Sequence, residues 1–193
     1  MEKLIVDGID LTEFLGVPYA ASRHPGNVSV DEFLSDPRIG ANCQLFALGV
    51  LRKAGFYIDD QLPMDQGERF GSRELWLDIK FTDAIVADDQ SAQRNINILL
   101  NTGGAHLNAV DIEFYFPPGY WSSETLNNVR EEDLKRLHVA LRLGRIEGWG
   151  SDNPCRILHN AKPGPSALWT LKDFHDMGYL LFGIKRPICR IAS

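Results

Sequence analysis

Residues 42 to 55 read NCQLFALGVLRKAG, and this stretch limits the fold more than any other. Phe46, Ala47, Val50, Leu51 and Ala54 follow the three-four spacing of one helix face. Leu45 and Leu48 widen that face until little of the circumference stays polar. A helix of this kind has to be covered on most sides, so the chain must supply a partner layer. Asn42 is a good N-cap, Arg52 and Lys53 suit the last turn, and Gly55 suits the position after it. Cys43 then falls in the first turn.

The sequence downstream supplies that layer as strands. VDIEFYF (110–116) is rich in β-branched and aromatic residues and stops at Pro117-Pro118. LHVALRLG (137–144) alternates, with Leu137, Val139, Leu141 and Leu143 on one face and His138, Ala140 and Arg142 on the other. CRILHNA (155–161) and GYLLFGIKRPI (178–188) read as further strands, and SALWTLKDFHDM (166–177) between them holds a short helix. Upstream, RELWLDIKFTDAIVA reads as a short helix followed by a strand, NINILL as a short strand and NTGGA as a turn. Residues 117–136, proline-rich and then acidic, read as an exposed excursion. One helix followed by several strands predicts an α+β fold with the helix packed on an antiparallel sheet, not alternating βαβ units. No internal repeat divides the chain, so residues 1–193 are expected to form a single domain with insertions near 88–109 and 117–136.

Charge narrows the partners. Twenty Lys and Arg stand against 26 Asp and Glu, a net charge of −6 with no clustered basic stripe. That balance disfavours nucleic acid and anionic membrane surfaces. No apolar run approaches the roughly 20 residues of a membrane span. The N-terminal MEKLIVDGIDLTEFLG lacks a basic segment followed by an apolar one, which predicts a cytoplasmic protein, with export by another route left open. The three cysteines, Cys43, Cys155 and Cys189, are widely spaced and form no CxxC pair. This is neither a disulfide framework nor a cysteine-rich zinc site, and it suits a reducing compartment.

Cys43 is the leading candidate for chemistry. A helix start carries partial positive charge and unpaired N–H groups, which favour the reactive thiolate. The competing expectation is a small buried core residue, since free cysteine is among the most buried types. His138 opens the alternating strand on its less apolar face. It can serve as a general base for the thiol or be a hydrogen-bonded histidine at a sheet edge. His159 ends the next candidate strand, and His159 or its neighbour Asn160 can fix the orientation of the His138 imidazole. Cys155, Cys189, His24, His106 and His175 have weaker contexts. A metal site from His106, His138 and His159 has no HExxH or HxH spacing behind it. No phosphate-binding glycine loop and no GxSxG elbow is present, so no nucleotide, metal or organic cofactor is expected.

In this order the pieces resemble the NlpC-type cell-wall peptidases, compact papain-like cysteine peptidases. LGVPYA (15–20) resembles the family's glycine-x-proline-tyrosine segment, and NCQLFALGVLRKAGFYI its cysteine helix. VDIEFYF resembles its next strand, LHVALRLG the strand of its base histidine, ILHNA the strand ending in its third polar residue, and GYLLFGIKRP its closing strand. The resemblance implies a papain-like fold with a Cys43–His138–His159 site. It also implies that Tyr19 places a hydroxyl near the thiolate or oxyanion. Asn42, Gln44 and Leu45 replace the family's usual aspartate, serine and glycine, so Asn42 and Gln44 become candidates for the substrate and oxyanion side of the cleft. The implied reaction is hydrolysis of an amide bond in a small peptide or peptidoglycan stem fragment. Two alternatives stay open: acyl transfer or amide cleavage on a protein or lipid-linked substrate, and an inactive papain-like binding module.

Overall fold

The computed structural model describes residues 2–56, 72–77, 81–86, 110–122, 124–125, 128–144, 146–148 and 156–187. NINILL, the stretch 88–109, His106, Cys155 and Cys189 lie outside the described residues.

The apolar segment folds as the expected helix, α2 (Cys43–Lys53), after a short α1 (Val30–Ser35). Asn42 is extended, and its side chain accepts from the Leu45 amide at 2.9 Å. Gly55, with φ of +89°, stands beyond the other end, where glycine adopts the left-handed backbone at no steric cost. From Leu45 to Leu51 every residue of α2 is buried.

The sheet that covers α2 is antiparallel throughout. It contains β3 (Phe81–Val86), β4 (Val110–Phe116), β5 (His138–Leu143), β6 (Arg156–His159), β7 (Ala167–Thr170) and β8 (Leu180–Pro187), in the order β3-β8-β4-β5-β6-β7. The fold is therefore α+β. Among the described residues three further helices are short: α3 (Ser72–Leu77), α4 (Glu131–Leu134) and α5 (Leu171–Asp176). Near the N-terminus, β1 (Ile5–Val6) and β2 (Ile9–Asp10) form a hairpin whose turn residues Asp7 and Gly8 both have positive φ, as a two-residue hairpin turn demands.

The alternation of β5 decides which layer each residue meets. Val139, Leu141 and Leu143 share the core with α2, together with Leu158 of β6. Ala140 belongs to a second cluster with Ile157, Tyr115, Leu171 and Phe174, so α5 covers the opposite face. The sheet is thus buried on both sides at β5, which explains why a strand with one polar-looking face has no exposed residue. Two expectations need correction. Residues 166–177 hold β7 as well as a helix, and the stretch after Pro117 is not simply exposed: Tyr120 and Trp121 pack on the core and Leu134 is buried.

The N-terminal segment is laced to the far end of the chain. The Ser166 hydroxyl accepts from Val17 N–H at 2.8 Å and donates to Phe14 O at 2.5 Å. Tyr19 forms a parallel bridge with Ala41, two residues before Cys43.

Inside α2, Gly49 lies against Phe33 of α1, and a Cβ there would sit 2.5 Å from the ring. Phe33 is fully buried and packed by Phe14 and Phe46 at centroid distances of 6.3 and 6.5 Å, so it has little room to move. Glycine to alanine in a helix normally stabilises by about 1 kcal/mol. Here overpacking, typically about 1–3 kcal/mol, acts against it. Gly49→Ala is expected to lower the midpoint of chemical denaturation, and a raised midpoint would show that the α1–α2 contact is looser than described.

Candidate active site

Three elements converge at the start of β5. Helix α2 brings Cys43 there by its first turn, and the Val139, Cys43 and Gln44 amides face the sulfur. β5 carries His138, the residue next to Val139. β6 runs antiparallel to β5 with Leu141 opposite Leu158 and Arg142 opposite Ile157. This register puts His159 and His138 on the same face, with ring centroids 6.0 Å apart and nearly perpendicular. All three side chains are buried: Cys43 and His138 are 8% exposed and His159 is 4%.

Aromatic rings enclose the imidazoles. Phe174 of α5 lies 6.0 Å from His138 and 4.8 Å from His159, Trp169 of β7 lies 4.4 Å from His159, and Tyr179 lies 5.3 Å from His138. Within this apolar box the His138 Nε2 and both His159 ring nitrogens have no hydrogen-bond partner. Buried polar atoms left this way are uncommon and costly.

Burial sets the protonation states. It pushes the Cys43 thiol up to about 11, against the opposing effect of the three amides. It pushes His138 down to about 3, helped by the charge of His159, and His159 down to about 4. The helix start therefore does not by itself yield a thiolate, because desolvation outweighs it. At neutral pH the resting site holds a neutral thiol and two neutral imidazoles.

The other candidates fall as follows. Tyr19 is half-buried, and its phenol is raised by burial first and then by negative charge at Cys43 and Tyr179. Asn42 caps α2 and its amide donates to the Gln44 side chain, so these two bind one another beside Cys43. Asn160 does not reach His138. Its amide donates to Ala41 O at 3.0 Å and Pro18 O at 3.2 Å, tying β6 to the loop that leads into α2. His24 sits in a turn with Asn27, and His175 is exposed on α5.

No family model, characterised protein or solved structure matches this chain. Among the described residues, no three His, Cys, Asp or Glu side chains are grouped to hold a metal ion.

Reading the sequence did not single out Tyr179, Phe174 or Trp169. Their approach to the histidines depends on the β6–β7 register and on the turn after α5, and no spacing in the sequence signals either. Behind the site, β4 places Tyr115 opposite His138, and the Tyr115 hydroxyl donates to the buried Glu113. Burial raises Glu113 to about 6 despite Arg142 at 3.9 Å and the Tyr115 bond.

These states make stability depend on pH. The folded imidazoles hold fewer protons than unfolded ones below about pH 6.5, so stability falls as the pH falls. Glu113 acts in the opposite sense, because its contribution is present below about pH 4.5 and lost as pH rises through about 6. Two imidazoles against one carboxyl leave a net loss of stability as the pH falls from about 6 to 4.5. The melting temperature is expected to drop across that window, and His159→Gln to flatten the drop. An unchanged slope in His159→Gln would contradict the burial of a neutral His159.

Proposed function

We propose that this chain is a papain-like cysteine hydrolase of amide bonds, a divergent relative of the NlpC-type cell-wall peptidases. The observation that carries the reading is the convergence at the start of β5. A cysteine in the first turn of a buried helix meets the strand that carries one histidine, with a second histidine beside it on the next strand.

In the proposed reaction the His138 Nε2 accepts the Cys43 proton as the sulfur bonds to the substrate carbonyl carbon. The carbonyl oxygen becomes an oxyanion, held by the Cys43 amide with Tyr19 or Gln44 as further donors. The C–N bond then breaks, and His138 returns the proton to the leaving amine. Water, activated by the same imidazole, opens the thioester and releases the acid and the thiol. His159 acts through its edge-to-face contact with His138, since no hydrogen bond joins the two rings. Because both partners rest neutral, the proton moves as the substrate binds and no ion pair is needed beforehand.

The resemblance points to peptidoglycan stem peptides, where the family's typical bond lies next to γ-D-glutamate. The site residues themselves do not select that bond. Acyl transfer would use the same thioester with another nucleophile in place of water.

A second reading has its own support. Cys43 is buried, and its thiol is raised rather than lowered. These features suit an inactive papain-like module that binds a partner. Assay of purified protein on stem-peptide fragments, with products read by mass spectrometry, separates the two. The hydrolase predicts turnover that falls at least about a thousand-fold in Cys43→Ala and about a hundred-fold or more in His138→Ala. Turnover that survives in Cys43→Ala would overturn the thiol mechanism.

A further inference from the structure

We propose that α5 is a lid: residues 171–178 swing off the sheet as a unit and uncover His138 and His159, and acid favours the open form. Such a lid works whether or not Cys43 reacts, so it goes beyond the hydrolase reading.

Both imidazoles stand on the face of the sheet that α5 covers. The apolar cluster there is small, and α5 enters it with two buried side chains, Leu171 and Phe174. Phe174 does most of the covering. It is fully buried and lies on His138 and His159, on Trp169 and Tyr179 at 5.1 Å each, and on Tyr115 at 4.7 Å. Lifting it removes one wall from each imidazole. In the closed form His138 Nε2 and both His159 nitrogens have no hydrogen-bond partner. Water reaching them would satisfy all three, which offsets part of the cost of opening.

The segment is lightly held. Thr170 and Asp173 cap each other, and the Met177, Gly178 and Tyr179 amides donate to the Asp173, His175 and Phe174 carbonyls. Lys172 pairs with Asp176 on the same helix. Among the described residues, one hydrogen bond joins 171–178 to the body beyond its own ends, from Trp121 Nε1 to Gly178 O at 2.8 Å. Lys172, Asp173, His175, Asp176 and Met177 are exposed, so the outer face is already solvated. Segments with few buried contacts and self-contained hydrogen bonds open at lower cost than the whole fold. Thr170 at the end of β7 and Gly178, with φ of +91°, stand where a hinge would turn.

Acid supplies the drive. Burial keeps both imidazoles neutral while α5 is closed, whereas an imidazole in water titrates near about 6.5. The open form therefore binds more protons at any pH below about 6.5, and lowering the pH shifts the balance toward it. The other ionisable groups near the rings do not reverse this. On β4, Glu113 accepts from Tyr115 and faces Arg142 of β5 at 3.9 Å, with Asp111 opposite Arg142 in register. Glu113 keeps its proton more readily when buried and so favours the closed form, but it is one carboxyl against two imidazoles. Burial raises Cys43 of α2 and Tyr179 before β8, so both stay neutral. Arg156 on β6 is half-buried, β7 carries no charged residue, and the four ionisable residues of α5 are exposed in the closed form already.

The test is native-state hydrogen exchange of the full wild-type chain at pH 7 and pH 5, each rate corrected for that of an unstructured peptide. The Met177, Gly178 and Tyr179 amides report α5, and the amides of residues 46–51 report unfolding of the whole molecule through α2. At each pH the α5 amides are expected to be at least about ten-fold less protected than those of α2. Between pH 7 and pH 5 they should lose at least about a further ten-fold. In His159→Gln that loss should shrink, because one of the two titrating groups is gone. Equal protection in α5 and α2 would overturn the lid, since α5 would then leave the sheet only when the molecule unfolds. Protection at α5 that is the same at pH 7 and pH 5 would overturn it too, because the turn would then be fraying without uncovering the imidazoles. Both decisive comparisons use the wild-type chain, so neither depends on a variant folding.

Discussion

Helix α2 cannot stand in water on any side from Leu45 to Leu51, and the rest of the structure is arranged around that fact. The sheet takes one flank through Val139, Leu141, Leu143 and Leu158. Phe33 and Phe14 take another, with Phe14 meeting Phe46 edge-on at 5.8 Å. Once both flanks are filled, the helix has no freedom to slide or turn. Its first residue is then delivered to one place, the start of β5. The position of Cys43 follows from the packing of a helix whose other residues have no chemistry of their own.

The same burial governs the electrostatics. A helix start favours thiolate by a modest amount, and only near solvent does that effect decide the outcome. At Cys43 the aromatic and aliphatic surroundings remove water, so desolvation acts more strongly in the other direction. His138 and His159 sit among Phe174, Trp169 and Tyr179, and burial there removes their protons in the same way. The result is a site with a neutral thiol, two neutral imidazoles and three imidazole nitrogens without a hydrogen-bond partner. In the proposed reaction charge is made and answered locally, by His138 for the proton and by the backbone amides for the sulfur.

The elements with strong periodicity could be read from the sequence. The spacing of α2, the alternation of β5 and the β-branched run of β4 each reflect one physical demand, a face that must be buried, and each appears in the structure within a residue or two. Four features were not read. The Asp7-Gly8 turn joins strands of only two residues each, too short for alternation to show. α1 has six residues and is capped by Ser29, too brief for periodicity to show. In β7, ALWT is only four residues long and half-buried throughout, so neither alternation nor length distinguishes it from a helix start. Trp121 lies in the stretch whose prolines and acids read as an exposed excursion, yet its indole reaches Gly178 across the fold. Cys43, His138 and His159 stand out as candidates by residue type and order. Their protonation states do not, because these depend on what packs against them.

The central claim is that Cys43 surrenders its proton to His138. The most direct measurement is the rate of iodoacetamide labelling at Cys43 near pH 7 in the wild-type protein and in His138→Ala, with Cys155 and Cys189 as internal references. The account predicts at least about a ten-fold loss of labelling at Cys43 in His138→Ala and no change at the other two cysteines. Equal labelling of Cys43 in the two proteins would contradict it and leave Cys43 as a core residue at a helix start.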